Sequence, residues 1–219
     1  MVIAIDGPAG SGKSTTAKFV AEKLGFIHIN TGAMYRGISL KCIQGDINME
    51  NSSQLNHLLT NTKFKFAKEG GSTLVMDGVD ISAEITSAQV TDFVSYVSAI
   101  SAVREKLVQY QRNMAEGIDV VLEGRDIGTV VFPNAEYKFF LVADIHERAK
   151  RRKKEMDAKG EVVSLEELTS DMEKRDRTDS TRRRSPLKKA EDAVEIDTTC
   201  LNIEEQVNRI VEIVNKTIK

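Results

Sequence analysis

MVIAIDGPAGSGKST, residues 1–15, sets a short unbroken apolar run directly before a loop containing three glycines. An apolar run without polar alternation is the pattern of a strand covered on both faces, as in a parallel sheet. Ala17, Val20, Ala21 and Leu24 then recur at helical spacing, and Gly25 is placed to stop the helix. Between strand and helix, Gly7-Pro8-Ala9-Gly10-Ser11-Gly12-Lys13-Ser14 has two glycines, Gly7 and Gly12, separated by four residues and followed by Lys and Ser, which is the P-loop pattern. Glycines let backbone N–H groups converge on phosphate oxygens at the positive end of the helix. Lys13 is expected at the β and γ phosphates of ATP, Ser14 on magnesium, and Thr15 at the end of the same site. Two other nucleotide readings fail. The only Asn-Lys pair, Asn215-Lys216, continues as Thr217-Ile218 and so completes no guanine-reading tetrad; Gly10, Gly12 and Thr15 do not complete a dinucleotide fingerprint.

Outward from this unit, residues 26–29, 119–122, 137–142 and 193–196 read as further strands separated by helical patterns. That alternation predicts an α/β fold: a five-stranded parallel sheet flanked by helices. About 90 residues separate the second and third strands, too many for one crossover, and predict an insertion. Within it, residues 63–67 and 72–76 flank a Glu69-Gly70-Gly71 turn, and Asp77-Gly78 precedes residues 79–81, so a small antiparallel meander is expected. Helical runs follow over 84–97 and 103–115. Residues 145–158 and 165–175 read as two charged helices around Lys159-Gly160. Ile203 to Lys216 closes the chain, with Ile203, Val207, Ile210, Val211 and Val214 on one face.

Two more segments leave the carboxyl edge of the expected sheet, where parallel sheets collect ligands. Asn30-Thr31-Gly32-Ala33-Met34-Tyr35-Arg36 follows the second strand, with Thr31 a hydroxyl donor and Arg36 a fork suited to phosphate. Glu123-Gly124-Arg125-Asp126 follows the third; Glu123 is suited to hold magnesium through water, and Arg125 and Asp126 to contact a phosphate and a base or sugar. A basic region supplies Arg148 and Arg152 on one helical face, then Arg175, Asp179 and Arg182.

The 219 residues carry 31 basic and 33 acidic side chains, a formal net charge of −2, which excludes a dedicated nucleic-acid coat. Residues 148–189 nevertheless hold 15 of the basic residues and only 9 acidic ones, so an anion is expected there. An RNA landing surface would use such a patch, but the chain has no Trp and 5% aromatics, with no stacking residues among these arginines. The two cysteines, Cys42 and Cys200, suggest neither a disulfide framework nor a zinc site. Apolar runs are too short to span a membrane. A soluble, cytoplasmic protein that binds neither nucleic acid nor membrane is expected, as a monomer.

The motifs IDGPAGSGKST, NTGAMYR, EGRDIGTVVFP, ERAKRR and RDRTDSTRRRSPL together resemble the bacterial cytidylate kinase family of nucleoside monophosphate kinases, across essentially the whole chain. The resemblance implies a single P-loop kinase domain over 1–219, with a monophosphate-binding insertion at about 31–115 and a helical lid at about 148–180. It implies ATP and Mg2+ acting on CMP and dCMP. Lys13, Arg125 and Arg175 would be catalytic. Arg148 and Arg152 would close over ATP. Thr31, Tyr35, Arg36, Ser95, Arg104, Arg125, Asp126, Arg175, Asp179 and Arg182 would line the CMP site, with Arg36, Arg125 and Arg175 on its phosphate. Glu123 stands where some relatives carry aspartate, and Thr31 where serine also occurs. Two other readings remain open at this level: a kinase for another acceptor such as UMP or shikimate, and a nucleotide-gated RNA-binding module.

Overall fold

A computed structural model of the chain describes residues 1–66, 73–158 and 160–218. β1 (Val2–Asp6) passes through the glycine loop into α1 (Lys13–Leu24), which ends at Gly25 with φ 70°, and β2 (Ile27–Asn30) follows. The next two helices, α2 (Thr31–Gln44) and α3 (Ser52–Thr60), occupy a stretch in which the sequence reading assigned no helix. The Asn30 side chain accepts the Ala33 N–H at 3.0 Å, so one residue both ends a strand and caps a helix. No turn residues separate the two elements, and the boundary leaves little mark in the sequence. In α3, Asn51 caps the helix and Leu55, Leu58 and Leu59 bury one face.

The expected meander is present as β3 (Phe64–Phe66), β4 (Leu74–Met76) and β5 (Val79–Asp80), antiparallel with β4 in the middle. The Glu69-Gly70-Gly71 turn, Ala67 and Ser72 lie outside the described residues. The single helix expected over 84–97 is two pieces. Residues 84–86 form a 3-10 turn; Ser87 is extended, and its hydroxyl caps α4 (Ala88–Val97). α5 (Ser101–Met114) leads to β6 (Val120–Gly124), which runs two residues past the expected end and takes Glu123 and Gly124 into the strand.

β7 (Tyr137–Val142) and α6 (Ile145–Asp157) match expectation closely. Lys159 of the expected turn lies outside the described residues. α7 (Leu165–Thr181) opens on a capping box of Ser164 and Glu167 and runs six residues beyond the expected Arg175. β8 (Val194–Asp197) and α8 (Ile203–Ile218) close the chain.

All five long strands are parallel, in the order β2-β6-β1-β7-β8. From β1 the chain moves outward past the place of β6 to β2; from β6 it crosses β1 to reach β7. The carboxyl end of β1, where the glycine loop begins, therefore lies at the crevice of the sheet. Alternating residues divide the core. Ile3, Ile5, Val121, Phe139 and Leu141 join α1 and α8 on one face, whereas Ala4, Ile29, Val120 and Leu122 join α2, α5 and the insertion on the other. A third, small cluster of Ala149, Leu168 and Met172 holds α6 against α7. Among the described residues no helix is long and apolar enough to cross a membrane. Cys42 and Cys200 are free thiols.

Candidate active site

The glycine loop is shaped by what surrounds it. A Cβ on Gly7 would collide with the Leu141 carbonyl of β7, and one on Gly10, at φ 74°, would stand 2.8 Å from Met172 Cε. Several loop carbonyls are turned back into the protein. Pro8 O accepts from Ser11 Oγ at 3.0 Å and from Lys13 Nζ at 3.0 Å; Ala9 O accepts from Arg148 Nη1 at 3.0 Å; Ser11 O accepts from Thr198 Oγ1 at 2.9 Å. Carbonyls so directed keep their partial negative charge away from an anion in the loop. Burial, with Arg125 and Arg175 close by, pushes the Lys13 ammonium down to about 7.

Beside the loop, Ser14 Oγ donates to Glu123 Oε2 at 2.5 Å, and Thr31 Oγ1 donates to the Glu123 carbonyl at 2.7 Å. Glu123 is 2% exposed, and its Oε1 has no hydrogen-bond partner; His28 Nε2 stands 3.6 Å away. Burial opposes ionisation, but His28, Lys13 and Ser14 hold the carboxyl below its usual range. A buried hydroxyl and carboxylate with an uncommitted oxygen are the hard donors that Mg2+ takes when shared with nucleotide phosphates.

Across the edge runs a chain of alternating charge. Arg104 Nη2 is hydrogen-bonded to Asp126 Oδ2, and Arg182 Nη2 lies 3.8 Å from Asp126 Oδ1. Arg182 Nη1 reaches Asp179 Oδ1 at 3.4 Å, and Arg125 Nε reaches Asp179 Oδ2 at 3.0 Å. The Tyr35 ring lies under the Arg104 guanidinium at 5.3 Å. Arg36 is held from the insertion by Ile85 O at 3.2 Å and Thr91 Oγ1 at 2.8 Å. Cations outnumber their partners at one end of this chain. Burial, then Arg125, pushes Arg175 down to about 10, with Arg36 and Arg152 adding to the effect. A cleft of about 860 Å³ opens onto all these groups.

A two-sided cleft of this kind, P-loop on one wall and arginines with paired acids on the other, belongs to a phosphoryl-transfer enzyme with an anionic acceptor. The family model for cytidylate kinase matches residues 3–216. The chain belongs to the cytidylate kinase family. Cytidylate kinase from Desulforamulus reducens is 50% identical over 214 residues, covering 98% of this chain and 96% of the relative. The one from Pediococcus pentosaceus is 46% identical over 218 residues, covering 99% and 96%. Among solved structures, shikimate kinase from Bacteroides thetaiotaomicron aligns at TM-score 0.51 and 14% identity over 98% of each chain, a likeness of fold alone.

Against this family's expectations, the cleft is lined by Ala9, Gly10, Gly12, Lys13, Ser14 and Thr15 of the loop. Thr31, Tyr35, Arg36, Ser95, Arg104, Glu123, Arg125, Asp126, Arg152, Arg175, Asp179 and Arg182 all line it too. Gly7, Pro8, Ser11 and Arg148 do not. Arg148 is 6% exposed, pairs with Asp176 of α7 at 2.7 Å and grips Ala9 O, so its guanidinium faces the back of the loop. Thr31 spends its hydroxyl proton on Glu123 O, leaving lone pairs only for a ligand. Sequence reasoning missed Thr91, Asp176, His28 and Thr198, whose partners lie 28 to 187 residues away on separately folded elements. No local motif announces such pairings.

Proposed function

We propose that this cytidylate kinase transfers the γ-phosphoryl group of ATP to the 5′-phosphate of CMP or dCMP, yielding CDP or dCDP. The observation that carries the reading is the convergence, on one cleft, of the P-loop with the chain Arg104–Asp126–Arg182–Asp179–Arg125. Forked donors and acid acceptors in alternation suit the mixed donor and acceptor edge of cytosine and the sugar hydroxyls. Arg36, Arg125 and Arg175 surround the acceptor phosphate, whose oxygen is already anionic and needs no general base. Lys13, with these arginines, holds two polyanions in line against their repulsion. Ser14, with Glu123 through water, would hold Mg2+, which when bound neutralises charge on the ATP phosphates. Residues at about 31–115 form the acceptor-binding insertion, and those at about 148–180 the lid. Arg152 faces ATP from the lid, while Arg148 braces the phosphate loop. Closure excludes water and so suppresses ATP hydrolysis.

We also take the enzyme to be a cytoplasmic monomer without nucleic-acid or membrane partners. Much of the basic excess in 148–189 is paired on the surface, as Lys150–Glu147, Arg152–Glu155, Lys153–Asp157 and Arg184–Glu105, or turned into the cleft. A coupled assay with CMP, dCMP, UMP, AMP and shikimate tests the activity. Turnover is expected with the cytidine monophosphates first, and a preference for any other acceptor defeats the reading.

A further inference from the structure

Asp6, the last residue of β1, lies outside every group assigned above. Its carboxylate is 4% exposed and takes two consecutive backbone N–H groups from across the sheet edge, Ile127 on Oδ1 at 2.9 Å and Gly128 on Oδ2 at 2.8 Å. These amides open the π-helical turn Ile127–Val131, directly after Arg125 and Asp126. Gly124, just before them, has no room for a side chain, since a Cβ would stand 2.7 Å from Ile127 Cδ1 and 2.9 Å from Thr31 Oγ1. The two acceptor-facing side chains are thus mounted between a crowded glycine and a clamped turn.

We propose that Asp6 is a positioning residue for the acceptor: its carboxylate fixes the turn that aims Arg125 and Asp126 at CMP, and ties that turn to the strand bearing the phosphate loop. The inference rests on the assignment of Arg125 and Asp126 to the CMP site. Both bonds run from N–H to an anion and are therefore stronger and more directional than neutral ones. An amide side chain offers one acceptor oxygen and turns its NH2 group toward the second N–H.

Folding alone does not call for an ionised group here. Burial pushes Asp6 up to about 6, against the Gly128 and Ile127 amides that pull it down. A folded value above the unfolded one means the stability from this group is present at acid pH and lost as pH rises through about 6. At neutral pH the anion works against folding, and the held turn is what it supplies. Arg125 and Asp126 are the charges that face it from the turn. Lys138 of β7 lies along Gly128 but carries its Nζ to Asp192, at 2.7 Å.

The test compares CMP and ATP affinities of the wild type and Asp6→Asn by calorimetry between about pH 5 and pH 8. At pH 8 the variant should bind CMP about tenfold more weakly, with ATP affinity changed less than about twofold. The CMP gap should close as pH falls through about 6, because the wild type then also carries a neutral side chain. An unchanged CMP affinity, an equal loss for both nucleotides, or a gap constant with pH overturns the proposal. Should the variant not fold, the wild type is titrated with cytidine 5′-sulfate, whose anion does not protonate in this range. Its affinity should fall as pH drops through about 6, and a flat profile overturns the proposal. Arg125→Lys distinguishes the role of Asp6 from the acceptor site itself. If it keeps wild-type CMP affinity, the acceptor assignment fails; if it weakens CMP while Asp6→Asn does not, only the role of Asp6 fails.

Discussion

Lys13 shows how a single residue is set for its task by what encloses it. In the cleft its ammonium is pushed down to about 7 by burial and by Arg125 and Arg175, and Nζ is bonded to Pro8 O. Polyphosphate in the loop reverses the balance and favours the charged form. ATP binding at about pH 8 should therefore take up a fraction of a proton, seen as a dependence of calorimetric heat on the ionisation enthalpy of the buffer. Lys13→Met should abolish that uptake and lower kcat by about 10²–10³-fold while leaving the chain folded. A variant that keeps both turnover and uptake assigns them to another group. The local part of this was legible in GPAGSGKS, because the glycines and the lysine of the loop are adjacent in the chain. Glu123 as the partner of Ser14, 109 residues on, was legible only as a carboxylate at a strand end.

At the scale of elements, α6 divides labour among arginines that look alike in sequence. Arg148 and Arg152 are four apart, and spacing alone assigns both to one ligand. In the structure Arg148 is buried between Ala9 O, Ala143 O and Asp176, whereas Arg152 lines the cleft and pairs with the exposed Glu155. Arg148→Ala should cost about 2 kcal/mol in urea unfolding, since it strands two half-buried carbonyls and a half-buried carboxylate. Arg152→Ala should stay within about 0.5 kcal/mol of wild type and instead raise the KM for ATP. Equal destabilisation by the two would refute this division. The same limit explains why the sequence stops α7 short. The helix runs on past Arg175 through a polar stretch whose only buried side chain there is that of Asp179. Apolar periodicity, the main helical signal, is absent where this end of the helix faces a polar cleft.

For the whole molecule, the decisive quantity is where charge lies. A net charge of −2 conceals a cleft in which Lys13, Arg36, Arg125, Arg152 and Arg175 confront one another, and burial with mutual repulsion lowers Lys13, Arg36 and Arg175 together. A ligand phosphate relieves that repulsion. CMP at about 100 times its Kd should stabilise the chain by about 2.7 kcal/mol, roughly 5–10 °C in Tm, with cytidine giving little at the same concentration. Equal shifts with the two would show that the phosphate is not what the cleft receives. The sequence by itself determined the parallel α/β core, the phosphate loop and the residue types at the sheet edge. These follow from short-range rules: strand and helix periodicity, glycine conformations, and the common edge from which parallel strands end. Only the tertiary structure decided which arginine meets which acid, that Arg148 faces the loop instead of the cleft, and that Asp6 clamps the turn bearing Arg125 and Asp126. Each of those contacts joins residues brought together by packing, where burial sets both their geometry and their charge.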